Sequence, residues 1–128
     1  EFLRDVKGYE EQAWLTQKLA KAKDKSAVIS ETAMSGLCTT CVLAMEMLVD
    51  FMARRANNMV LNYKATGGLI LAGGIPPRIY NFINKDKIEE SFLKCDEMEP
   101  LLAGIPIYLN LNSKTALYGA AYYGAFSE

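Results

Sequence analysis

Apolar and polar residues alternate along this chain with two different periods. From Thr39 to Lys64, Cys41, Met45, Leu48, Met52, Ala56, Met59 and Tyr63 recur at spacings of three and four, the period of one helix face. Val42, Val49, Ala53 and Val60 add a second apolar flank, and Glu46, Asp50, Arg54 and Asn57 fill the narrow polar side. A helix so apolar is predicted to be covered on most sides and to form the spine of the fold.

After that helix the period changes. Leu69-Ile70-Leu71-Ala72 is short, wholly apolar and flanked by Gly67-Gly68 and Gly73-Gly74. Such a run predicts a strand buried on both faces of a largely parallel sheet. A helix is expected directly after Gly74, because Pro76 and Pro77 are tolerated in a first turn, where an N–H has no intrahelical partner. Asp86 to Cys95 reads as a further helix with Ile88 and Phe92 inward, and Pro106 to Leu111 as a second strand. Ser113 is a plausible N-cap for a closing helix, Lys114 to Phe126. Upstream, residues 2 to 25 read as helix broken near Gly8, with Trp14, Leu15 and Leu19 as its apolar contacts. The run KLAKAKDKS reads as a solvated basic face, and a short helix ends at Gly36. Helices and strands alternate in order, which is the α/β class.

Length and composition set bounds on this picture. With 128 residues, 51% of them apolar and 23% charged, the chain can bury a core and lies far from disordered composition. Fourteen basic and fifteen acidic residues are mixed along it, so no basic face suggests nucleic-acid binding. The apolar segment Cys41 to Val60 carries Glu46, Asp50, Arg54 and Arg55, which excludes it as a membrane span. Three cysteines do not make a disulfide framework, and a reducing, cytoplasmic setting is expected.

Few side chains offer chemistry. There is no histidine, so Cys38-Thr-Thr-Cys41 lacks partners for a zinc site, and packing is its expected role. The methionines Met45, Met47, Met52 and Met59 sit at core spacing. Glu89, Glu90, Asp96, Glu97 and Glu99 have no partner that would make them a general acid or base, and no metal site is expected. What remains is the glycine-bracketed strand. Gly73 and Gly74 permit a tight turn without a Cβ, leaving room for a flat ligand against the backbone near the new helix's N–H groups. The spacing is neither GxGxxG nor a P-loop.

The stretch GGLILAGGIPPRIYNF resembles the C-terminal part of bacterial-type glucokinases, where an apolar strand runs into Gly-Gly-Ile and then Pro-Arg. ETAMSGLCTTCVLAMEMLVDFMARRANNMVLNY is similar to the family's long helix with its Cys-x-x-Cys entry. LAGIPIYLNLNSKTALYGAAYYGA is similar to its tail. The resemblance covers roughly residues 27 to 126.

It implies a fragment of a ribonuclease H-like, actin-like ATPase lobe, with short, mostly parallel strands packed by helices that include one long central helix. Residues 1–36 would be an N-terminal helical segment and 37–128 the C-terminal part of the large α/β lobe. Gly73, Gly74 and Ile75 would face the adenosine of ATP bound with Mg2+, and Gly119, Ala120 and Ala121 would pack at an interdomain hinge. The family's Asp-Gly-Gly-Thr phosphate loop, its Asn-Asp pair with the catalytic base and its Glu-x-x-His sugar motif are absent from this sequence. No catalytic residue is therefore expected here, and the chain reads as the C-terminal portion of a longer enzyme. That enzyme would phosphorylate glucose at its 6-hydroxyl and act as a homodimer. The alternative is a non-catalytic, sugar-responsive regulator of the related ROK type, whose Cys-rich zinc motif Cys38 and Cys41 do not reproduce. A small stand-alone α/β interaction domain is a third reading.

Overall fold

The computed structural model describes residues 1–126. The elements in chain order are α1 (Phe2–Asp5), α2 (Ala13–Lys21), α3 (Lys25–Met34), α4 (Thr39–Tyr63), β1 (Leu69–Leu71), α5 (Ile75–Ile79), α6 (Lys85–Leu93), α7 (Glu99–Leu102), β2 (Ile107–Leu109) and α8 (Thr115–Phe126). Single turns of 3₁₀ helix, Tyr80–Phe82 and Asp96–Met98, follow α5 and precede α7. The chain divides into two compact units, the first Glu1–Phe51 and the second beginning at Met52, so the boundary falls inside α4.

In the first unit the expected N-terminal helix is interrupted more widely than Gly8 alone predicts, leaving α1 and α2 with seven connecting residues. Leu15 is buried and Leu19 half-buried, but Trp14 is 42% exposed. Position 14 lies one residue, about 100° of helix rotation, from the inward face at Leu15, so its ring points outward. Asp24 starts α3 by accepting hydrogen bonds from the backbone N–H groups of Ser26 and Ala27 at 3.0 and 3.1 Å. The basic KLAKAKDKS run therefore contains a helix boundary as well as a solvated face. Gly36, with φ +69°, ends this helical stretch in the left-handed conformation, as read from the sequence.

The face that α4 buries differs from the one the spacing suggests. Cys41, Met45, Val49, Ala53, Ala56, Asn57 and Val60 are buried, whereas Met52 and Met59 are half-buried and Tyr63 is 73% exposed. The inward stripe thus combines Cys41, Met45 and Ala56 of the expected face with Val49, Ala53 and Val60 of its flank. Its second half is made of the smaller residues Ala53, Ala56 and Val60, which let neighbouring backbone approach closely, while the larger methionines fill its margins.

Asn57 is the main departure. Read from the sequence as solvent-facing, it is 4% exposed and donates from Nδ2 to the Phe92 carbonyl at 2.6 Å. Phe92 belongs to the last turn of α6, whose carbonyls have no intrahelical partner. One amide side chain from α4 therefore satisfies the end of another helix. Spacing could not find this role, because the partner lies 35 residues downstream.

In the second unit β1 and β2 pair in parallel, with Leu69 opposite Ile107, Ile70 opposite Tyr108 and Leu71 opposite Leu109. The crossover between them carries α5, α6 and α7, as a parallel connection requires. Ile79, Ile88, Phe92, Leu102 and Ile105 form the buried core of this unit with the second half of α4. The expectation that the first strand is buried on both faces is not met. Leu69 and Leu71 are half-buried, but Ile70 is 67% exposed and its partner Tyr108 is 57% exposed, so helices of this chain cover one face only.

The closing helix begins one residue later than expected. At its start Asn112 Oδ1 accepts from the Lys114 N–H at 2.9 Å, the capping role assigned from the sequence to Ser113. Asn112 reaches two residues forward through the Asx geometry that asparagine favours in turns. Every described residue of α8 is exposed, Gly119, Ala120 and Ala121 included.

Replacing Asn57 by alanine is expected to leave the Phe92 carbonyl buried without a donor and to cost about 1–3 kcal/mol. Urea unfolding monitored by circular dichroism measures this; an unchanged midpoint would mean that water replaces the amide at no cost.

Candidate functional site

Two loops leave the same edge of the small sheet, because β1 and β2 are parallel and in register at Leu71 and Leu109. Ligands of open α/β sheets bind outside the carboxyl ends of strands, which is where these loops lie. The first loop is Ala72-Gly73-Gly74 leading into α5. The second is Asn110 to Lys114 leading into α8.

The glycines of the first loop have different reasons to be glycine. Gly73 has φ +112°, a conformation that side chains rarely adopt, so the turn itself requires it. Gly74 has φ −81° and ψ −15°, which any residue tolerates, and it is the N-cap of α5. A Cβ built on either residue meets nothing within 4 Å. Ile75 follows at 52% exposure. The result is a bare backbone surface beside one exposed aliphatic side chain, open to a flat partner.

Within the chain itself, the close backbone approach is at the beginning of the strand. Gly68, with φ +122°, would place a Cβ 3.1 Å from both the Pro106 carbonyl oxygen and its ring Cγ. This glycine lets the two strands meet, and the Leu69 N–H donates to the Pro106 carbonyl at 2.9 Å. The four glycines thus divide into one packing residue, Gly68, one turn residue, Gly73, and two that no internal contact constrains, Gly67 and Gly74.

The helix start offers less to an anion than expected. Ile75 is the first residue of α5, and prolines occupy the second and third positions. Both lack an N–H, so two of the donors that form an anion cradle at a helix N-terminus are missing. The junction suits an uncharged, planar group better than a phosphate.

The second loop was not singled out from the sequence. Asn110 donates its backbone N–H to the Leu71 carbonyl at 2.9 Å and its Nδ2 to Thr115 Oγ1 at 2.8 Å. Its Oδ1 accepts from the Asn112 N–H at 2.9 Å. Asn110 therefore ties the ends of both strands to the start of α8. The signal was present in LNLNSKT, where two asparagines bracket one leucine beyond an apolar strand.

The cysteine pair lies in the first unit and is not part of this surface. Cys38 and Cys41 are free thiols, each 3% exposed, in agreement with a packing role. Burial, followed by the hydrogen bond with Cys38, pushes the Cys41 thiol up to about 12. Among the described residues no group of three His, Cys, Asp or Glu side chains could hold a metal ion, and no single helix is long and apolar enough to cross a membrane.

A neutral Cys41 is a poor nucleophile, since at pH 8 its thiolate fraction is on the order of one in ten thousand. Iodoacetamide at pH 8 is expected to label the half-buried Cys95 first and Cys41 only after unfolding, read by mass spectrometry of the tryptic peptides. Equal labelling rates in the native protein would contradict the burial of Cys41.

Comparison with known proteins accounts for this combination of a long helix, a glycine-flanked strand and an apolar tail. The family model for glucokinase matches residues 5–126. A glucokinase of Nostoc sp. is 33% identical over 121 residues, covering 94% of this chain and 34% of the relative. A glucokinase of Synechocystis sp. is 33% identical over 118 residues, covering 91% and 33%. A glucokinase of Psychromonas ingrahamii is 35% identical over 95 residues, covering 74% and 30%. The chain spans about a third of the length of these relatives. No solved structure matches it. On the match across residues 5–126, the chain belongs to the glucokinase family.

Proposed function

We propose that this chain is the C-terminal portion of an ATP-dependent glucokinase and supplies the wall of the site that faces adenosine. The observation that carries this reading is the open backbone surface at Gly73–Gly74, placed at the carboxyl end of β1 in a chain of this family. The bare turn accepts the face of a purine or ribose, Ile75 adds an apolar contact, and the prolines of α5 keep strong anion donors away. The triphosphate and the sugar would then be held by other parts of the protein. Residues 37–128 would belong to the large lobe of an actin-like ATPase fold and residues 1–36 to a helical segment preceding it.

The reaction proposed for the whole protein is transfer of the γ-phosphoryl group of ATP to the 6-hydroxyl of glucose. A carboxylate base takes the hydroxyl proton, and closure of two lobes excludes water. The base is not assigned to any carboxylate of this chain. Its acidic side chains do not fit a Mg2+ site either, since no three of them converge among the described residues. No step is assigned through a metal held here. Binding and orienting the base of the nucleotide is the part played by Gly73, Gly74 and Ile75.

A coupled assay for glucose-dependent consumption of ATP tests the reading. The full-length protein is expected to turn over glucose, and residues 1–128 alone are not. Turnover by the purified short chain, or none by the folded full-length protein, would refute it.

Gly74→Val is a sharper probe of the wall, because its φ of −81° accommodates the new side chain and open space receives it. The KM for ATP is expected to rise about tenfold or more, the loss of roughly 1.4 kcal/mol of binding, while the KM for glucose stays unchanged. Equal changes in both constants would remove Gly74 from the nucleotide site.

A further inference from the structure

Cys38-Thr-Thr-Cys41 is a motif that the nucleotide wall does not use. Packing accounts for the burial of each thiol. It leaves idle the chemistry open to two thiols in contact.

The pair occupies the first turn of α4. The Val42 N–H donates to the Cys38 carbonyl at 3.0 Å, so Cys38 closes that turn from its outer end and Cys41 lies three residues further in. Residues three apart on a helix share a face, and the two side chains are hydrogen-bonded to each other. A disulfide needs its sulfurs about 2.0 Å apart. Rotation about the side-chain bonds closes the gap, and Cys41 has room to turn because it borders a cavity of about 330 Å³ within the first unit. Both cysteines belong to that unit, so the bond asks for no movement between units.

The surroundings favour the oxidised form once it is made. Burial opposes a thiolate at Cys41, whereas a disulfide carries no charge and needs no hydrogen-bond partner. Access to the pair is asymmetric. Cys38 directly follows Ser35, Gly36 and Leu37, all of them exposed. Opening of this connection with the first turn of α4 bares Cys38 to solvent, while Cys41 stays deeper in the helix.

We propose that Cys38 and Cys41 form a reversible dithiol–disulfide pair, oxidised by exchange with a low-molecular-weight disulfide that enters at Cys38. The Cys38 thiolate attacks one sulfur of the small disulfide, forming a mixed disulfide and expelling one thiolate. Cys41 then attacks the Cys38 sulfur and expels the second. The two cysteines lose two electrons, the small disulfide gains them, and the two thiol protons end on the released thiols. The product closes the first turn of α4 covalently.

The test incubates the full-length protein with oxidised and reduced glutathione at set ratios. Acid quenching, unfolding and alkylation with N-ethylmaleimide follow. The tryptic peptide from Ser26 to Arg54 contains both cysteines. It is expected to appear unalkylated and two hydrogens lighter than the dithiol, in one transition as the ratio rises, and to return with dithiothreitol. In Cys41→Ser the resolving thiol is gone, so Cys38 is expected to accumulate as its glutathione adduct. Cys38→Ser is expected to form adduct at Cys41 about tenfold more slowly. Equal rates in the two variants would overturn entry at Cys38. The pair itself would be overturned by wild-type protein that stops at the glutathione adduct. So would native protein that stays reduced at ratios oxidising the same cysteines in urea, whether or not either variant folds.

Discussion

In the second unit a buried hydrogen bond joins two helices that are far apart in sequence. Asn57, on the inward face of the long helix, donates at 2.6 Å to the carbonyl of Phe92 near the end of α6. The contact settles two problems together. A polar side chain lies on a face otherwise made of Ala53, Ala56 and Val60, and a helix-terminal carbonyl lies where water does not reach it. Each would be costly alone, and paired they fix α6 against α4 in one register. The crossover of α5, α6 and α7 then returns the chain to lay β2 beside β1.

That returning strand gives the glycines their meaning. A parallel pair places both carboxyl ends on one edge, and the loops at that edge are built from residues with small or locally bonding side chains. Gly68 permits the close contact with Pro106 that brings the strands together, and Gly73 permits the turn that leaves β1. Neither glycine needs a ligand to explain it. Gly74, like Gly67, has a conformation and surroundings that require no glycine, and Ser or Asn would serve at least as well as the cap of α5. The open, side-chain-free surface at that point carries the proposal of a nucleotide wall, and the two prolines behind it leave fewer N–H donors for a phosphate.

The apolar surface left on the described residues has a related origin. Ile70 and Tyr108 pair across the uncovered face of the sheet, and α8 carries Leu117, Tyr118, Tyr122, Tyr123 and Phe126 without burying any of them. Tyr122 and Phe126 pack against each other in a tilted arrangement with ring centroids 4.7 Å apart, a local pairing at helical i,i+4 spacing. Sequences of this kind read as covered, because an apolar strand or helix is rarely left open to water. The inference was sound about the residues and silent about the partner. The chain spans about a third of the length of its glucokinase relatives.

Local and periodic features were legible from the sequence alone. The long helix was anticipated from Thr39 to one residue beyond its observed end, and the two strands, the proline-initiated α5 and the α6 contacts Ile88 and Phe92 follow from spacing and turn chemistry. These depend on interactions within a few residues, which a linear pattern records. The tertiary structure decided which flank of α4 turns inward, that Asn57 is buried, that Trp14 is not, and that Gly68 rather than Gly73 meets another backbone. Each of those outcomes depends on a partner many positions away. Periodicity defines a face but not the neighbour that covers it, and only the folded chain supplies that neighbour.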